Sequence, residues 1–353
     1  MKRSLFMAAG AAIFALAACT HTGETAQSGT SVDPAEVYVA PPAGWRPFSA
    51  TSPWNTKIPF DAEIDPNSDA MLDSFVQANP LHINMPEWSV AVYYIDSEKT
   101  PTARVSSFYS DGYGLGVSSR RPIPSPPGAV PGAPAENGTG FISIVDPMKA
   151  TAWEMRAAGK DSAGNWTMGF GNQLDLAGNG VSQPWMMAET PNHARAGRIS
   201  GIPLIAGLIR VEAVKAGRID HALAFAYAAP KTTTFVSPAS NSLGAVRDRP
   251  EPAFGMPFGT RIQLDPAFDV ENADLSPAGK VIARALQEYG AILVDEAGGS
   301  TLYAEASPAA LEAWEGLLAP GELHQVFTPR MMATYFRVIK PEQVMNGPPR
   351  PRR

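Results

Sequence analysis

The sequence predicts a mainly β protein, an antiparallel β-sandwich or jelly roll with a few peripheral α-helices. Apolar runs are short, mostly four to eight residues, and 34 prolines and 31 glycines punctuate them without a repeating period. Helical periodicity with capping residues is confined to a few segments. At 353 residues and 44% hydrophobic content the chain can bury a sizeable core. One β-rich domain over residues 38–345 is expected, the alternative being two domains split at the proline-dense Arg120–Pro134. A net charge of -6 with no long basic run argues against nucleic acid as a partner.

Residues 1–18 read as an export signal: Lys2 and Arg3 precede the apolar Leu5–Leu16, which is too short for a comfortable membrane span. Residues 19–37, rich in Thr, Ser, Gly and Glu, read as a flexible tether, since such a composition supports no core. Cys19 is the only cysteine, so no disulfide within the chain is possible. Leu16-Ala17-Ala18-Cys19 resembles the lipobox of bacterial lipoproteins, which implies an acylated (palmitate-bearing) Cys19 and a membrane partner reached through the lipid. Within that resemblance, Thr20 at the next position favours the outer membrane.

The folded elements follow in order. Ser68–Ala78 is expected to be helical, capped by Ser68. Strands are expected at Trp88–Ile95, Ala103–Phe108, Gly140–Asp146, Ala152–Ala157 and Trp166–Phe170. Arg198–Tyr227 organises the chain. In it Gly201-Ile202-Pro203 breaks the backbone, Leu204–Leu208 is an apolar plug, Val211–Ala216 a short helix, and Asp220–Tyr227 a buried strand. Thr232–Ser237 and Thr260–Leu264 read as strands, and Ser276–Gly290 as the best helix, with Pro277 at its first position. Ala291–Asp295 and Leu302–Glu305 are expected to form a hairpin around Gly298-Gly299. A helix from Ser307 to Leu318, a strand at Tyr335–Ile339 and a disordered tail over 346–353 complete the reading.

Gly201-Ile202-Pro203-Leu204, Gly207-Leu208-Ile209-Arg210 and Asp220-His221-Ala222-Leu223, with Ser52-Pro53-Trp54-Asn55 before them and Pro257-Phe258-Gly259-Thr260-Arg261 after, resemble a widespread family of secreted bacterial β-rich proteins. Tyr289-Gly290 and the Asp295 strand, and Val145-Asp146 with Glu154, share in the likeness, which covers most of Ser49–Ile339. It implies one folded domain and no particular activity. One departure stands out: a histidine often begins the strand that ends at Asp146, and here that residue is Phe141.

Two constellations can carry chemistry. If Asp146 pairs opposite Ala152 in the Pro147–Thr151 hairpin, Asp146 and Glu154 share one sheet face at about 7–8 Å. Glycoside hydrolysis needs two carboxylates about 5–10 Å apart. A one-residue change of register would separate them. The second constellation is His221, Arg210, Arg261 and Tyr303, in which a cation neutralises a uronate carboxylate and a His or Tyr removes the adjacent proton, as a polysaccharide lyase requires. Asp220 is a candidate partner for Arg210, and Trp54 and Asn55 are further candidate ligand contacts. Otherwise the buried arginines, Asp220 and His221 form structural pairs and the tryptophans, Trp153, Trp166 and Trp185 among them, pack. The sequence has no nucleophile elbow, no phosphate-binding glycine loop and no His-Glu-x-x-His, and implies neither a metal nor a cofactor. These observations predict a lipid-anchored envelope protein acting on polysaccharide, with hydrolysis first, uronate lysis second and noncatalytic binding third.

Overall fold

Short apolar runs become strands where a neighbouring run satisfies their backbone groups, and the computed structural model describes this for residues 33–76, 80–83, 85, 88–132, 140–187, 197–244 and 250–348. The protein is sheet-rich with few helices, as expected. Its sheets are mixed rather than antiparallel throughout. The largest runs in the order His82–Ile83, Thr301–Leu302, Leu223–Tyr227, Ala291–Glu296, Arg261–Leu264, Phe336–Val338. The pair Leu223–Tyr227 and Ala291–Glu296 at its centre is parallel. Both are apolar along almost their whole length, which fits strands covered on both faces.

The second sheet has four strands, Phe170–Asp175, Thr151–Arg156, Ile142–Asp146 and Ala91–Tyr94, with the last pair parallel. Side-chain alternation divides it between two cores. Val92, Phe141, Val145 and Ala152 join the main cluster with the six-stranded sheet and the Pro277–Glu288 helix. Ala91, Tyr93, Ile142, Ile144 and Met155 face a smaller cluster with Trp166 and Val37. Ile142–Asp146, at the centre of this sheet, is buried along its whole length, so a polar side chain there or directly opposite needs a partner inside the protein.

Several boundaries differ from the sequence reading. Leu302 does not form a hairpin with Ala291–Glu296; it pairs antiparallel with Phe225, on the other side of the parallel pair. The Gly298-Gly299 segment therefore crosses over a strand. Thr151–Arg156 lies within one residue of expectation, Ala91–Tyr94 is shorter than the expected Trp88–Ile95 and starts three residues later, and Ser276 caps its helix by accepting from the Gly279 amide at 3.1 Å. Pro34–Val37, expected in the tether, is a short helix whose Val37 is fully buried. Val344–Asn346 pairs with Thr234–Val236, so the chain stays ordered into the expected tail. Ile123–Pro124 in the proline cluster pairs with Thr102–Ala103. Val32–Arg353 forms one compact unit. Cys19 and its signal lie outside the described residues, among which no helix is long and apolar enough to cross a membrane.

Candidate functional site

The register of the Ile142–Arg156 hairpin decides the first constellation. Asp146 pairs with Thr151, and Ser143, not Ile144, pairs with Glu154. That is one residue away from the expected alignment, and it sends Asp146 and Glu154 to opposite faces. Asp146 then serves the turn. It accepts from the Ser97 hydroxyl at 2.6 Å, the Ser97 amide at 3.0 Å, and the Met148 and Lys149 amides at 3.0 and 2.9 Å. Burial works to raise its pKa, but these donors together hold it below the ordinary carboxylate value.

Glu154 is fully buried and belongs to the organising stretch. Its carboxylate accepts the Leu204 and Ile205 amides at 2.6 and 2.7 Å and the Ser143 hydroxyl at 3.3 Å. The Gly-Ile-Pro turn frees those two amides to point one way, which is what its sequence does for the site. Burial pushes Glu154 up to about 7 despite the amides. His221 is buried elsewhere, its Nδ1 3.0 Å from the Ala222 carbonyl, and burial pushes it down to about 4. The three residues expected to be catalytic are thus not brought together.

The expected ligand contacts are mostly structural. Asp220 pairs with Arg218 instead of Arg210. Arg210 donates to the Trp45 carbonyl, lies 5.3 Å from the Trp45 ring, and neighbours Glu305, which also takes the Tyr94 hydroxyl. Arg261 donates to the carbonyls of Pro53 and Thr56 and fastens the Ser52–Asn55 segment. Asn55 Nδ2 in turn holds the carbonyls of Pro47, Phe48 and Ser49 at 3.0–3.1 Å, and Trp54 is buried.

Tyr303 alone of the expected residues reaches a large cleft. This cleft, about 920 Å³, is lined by Trp88, Phe141, Arg156, Asp295, Glu296 and Tyr303, with Gly298-Gly299 on its edge. A β-bulge builds one wall: Phe225 pairs with Leu293 and Ala226 with Asp295, leaving Val294 as the extra residue. Ser200 satisfies its carbonyl at 2.6 Å. Such a bulge re-aims the side chains that follow it, here Asp295 and Glu296. Burial raises the pKa of Asp295 and pushes the Tyr303 phenol above its ordinary range. Trp88 is 41% exposed in this cleft. Phe141, where the resemblance leads one to expect histidine, lies on the cleft lining.

Arg198 adjoins the cleft. It is fully buried, its guanidinium carbon 4.1 Å from the Tyr303 ring centre, and its Nη2 donates to the Leu204 carbonyl at 3.0 Å. Trp88, Arg156, Arg198 and Glu296 were not expected in a site. Arg156 was within reach: it follows Glu154 by two on a strand, so the two share a face. The half-exposed tryptophan gives no such signal. No family model matches the chain, and no curated protein or solved structure matches it significantly.

Proposed function

We propose that this chain is an extracytoplasmic, lipid-anchored protein that binds polysaccharide in the Trp88–Asp295–Tyr303 cleft and hydrolyses it. One observation carries the reading: a half-exposed tryptophan and a buried carboxyl with raised pKa line the same large cleft. Sugar faces stack on such rings, and a carboxyl whose pKa burial raises is better suited to protonate a leaving oxygen than an ordinary one. Asp295 is the proton donor in this reading, and Glu296, which lines the same cleft, supplies the second carboxylate. The same reading takes the two larger sheets, which share the main core, as the faces of a sandwich.

Uronate lysis is the second reading, favoured by Arg156 and Tyr303 in one cleft. The raised pKa of Tyr303 works against it, because the phenol keeps its proton. The test is product release by the purified protein from neutral and uronate-containing polysaccharides. New reducing ends without unsaturated-uronate absorbance, lost in Asp295→Asn, are expected. Absorbance would replace hydrolysis by lysis, and binding with no product would leave a noncatalytic recognition protein. For the anchor, palmitate labelling that disappears in Cys19→Ala is expected.

A further inference from the structure

Off the cleft opens a smaller cavity of about 190 Å³, lined by Arg156, Arg198, Asn241 and Ser242 and sharing Arg156, Ile199 and Leu243 with the cleft. Its polar lining is incomplete. Arg198 has no hydrogen-bond partner on Nε or Nη1, although the side chain is fully buried. The carboxylates in its field accept from the chain: Glu154 takes the Leu204 and Ile205 amides, and Asp295 Oδ1 takes the Glu296 amide at 2.9 Å. A guanidinium stays charged inside proteins, so two N–H groups without an acceptor, on a side chain that lines a cavity, call for an anion. Arg156 adds a second guanidinium, seated 5.2 Å from the Phe170 ring centre. The buried Asn241 Oδ1 also has no partner, and it accepts rather than donates.

We infer that this cavity is a carboxylate subsite of the cleft, in which Arg156 and Arg198 hold the carboxylate of a uronate residue while Asn241 accepts from a hydroxyl of the same sugar. A planar carboxylate fits the guanidinium fork, and sulfate, which carries no donor at neutral pH, offers nothing for Asn241. The ligand class is therefore a hydroxyl-bearing carboxylate. The inference rests on the polysaccharide reading of the cleft and narrows it to acidic chains.

The experiment is calorimetric titration of the purified protein with glucuronate, with oligoglucuronate and oligogalacturonate, with the neutral oligosaccharides of the same linkages, and with sulfate. Uronate chains should bind about tenfold or more tightly than their neutral counterparts, the effect of one charge-assisted hydrogen bond. Arg156→Gln and Arg198→Lys should each abolish that preference. If Arg198→Lys fails to fold, Arg156→Gln, on the less buried side, decides alone. Equal binding of acidic and neutral chains would overturn the subsite and leave the polysaccharide reading intact. Arg156-dependent binding of glucuronate with no binding of any chain would support the subsite and sink the polysaccharide reading. Sulfate binding as tight as glucuronate would overturn the hydroxyl-bearing assignment, and no binding of any probe would overturn both.

Discussion

Arg198 and Arg210 come from one stretch of sequence, both in apolar surroundings, and the fold treats them oppositely. Arg210 is closed into packing, between the Trp45 ring and carbonyl on one side and Glu305 with Tyr94 on the other. Arg198 is more deeply buried, lines a cavity, and leaves Nε and Nη1 without an acceptor, where Arg210 leaves Nε alone. Each arginine has a carboxylate nearby, so what separates them is the cavity: a charge packed against the chain alone belongs to stability, whereas one that also lines a cavity marks where the protein has left room for something else. Sequence context does not distinguish them; the cavity beside one of them does.

The comparison can be broken or sharpened experimentally. The largest effect is expected from Asp295→Asn, which should lower product release by roughly 10²–10⁴-fold with folding retained, as loss of a general acid does. Next is Arg210→Met. It takes a donor from the Trp45 carbonyl and a cation from the neighbourhood of Glu305, and should cost about 1.5–3 kcal/mol in denaturant unfolding, with uronate binding by the folded fraction unchanged. Arg198→Met should show the reverse pattern, about 1–2 kcal/mol of stability from the lost Leu204 bond and complete loss of uronate preference. Equal stability costs for the two would erase the distinction between them.

The pH dependence of stability separates two other buried groups. Glu154 titrates at about 7 in the fold and near 4.5 outside it, so the folded state holds the extra proton and stability falls as pH rises from 4.5 to 7. His221 titrates at about 4 against 6.5, so the unfolded state takes the proton first and stability falls as pH drops from 6.5 to 4. Each is worth roughly 3 kcal/mol at full extent, with opposite signs over the shared range. Chemical denaturation across pH should therefore show a shallow wild-type profile. Glu154→Gln should tilt it upward with pH, and His221→Gln downward. The smallest change expected is Asp146→Asn, about 1–2 kcal/mol from a weakened turn, with product release unchanged.

Much of the scaffold was legible because its signals are local. Ser276-Pro277 announces its own helix start, and the alternation around Ile142–Asp146 its own strand. What was not legible depends on register and crossing. A single-residue offset at Pro147–Thr151 undid the Asp146–Glu154 pair, and both alignments satisfy the apolar pattern because both faces of that sheet are buried. Likewise the Gly298-Gly299 turn signal is as compatible with a crossover as with a hairpin. Tyr303 was found and Asp295 noted within the resemblance, but nothing near Trp88 in the sequence reveals that Asp295 will stand across from it in one cleft.

The bulge at Val294 has a consequence for anyone wishing to move this site into another protein. Trp88, Phe141, Arg156, Arg198, Asp295, Glu296 and Tyr303 come from stretches spread across more than two hundred positions, and the wall that orients two of them depends on a hydroxyl from Ser200, nearly a hundred residues away. No excised fragment contains it. Circular permutation with new ends at an exposed turn such as Asp161–Gly164 keeps every one of these contacts, so rewiring the order of the chain is the modular route that the architecture permits.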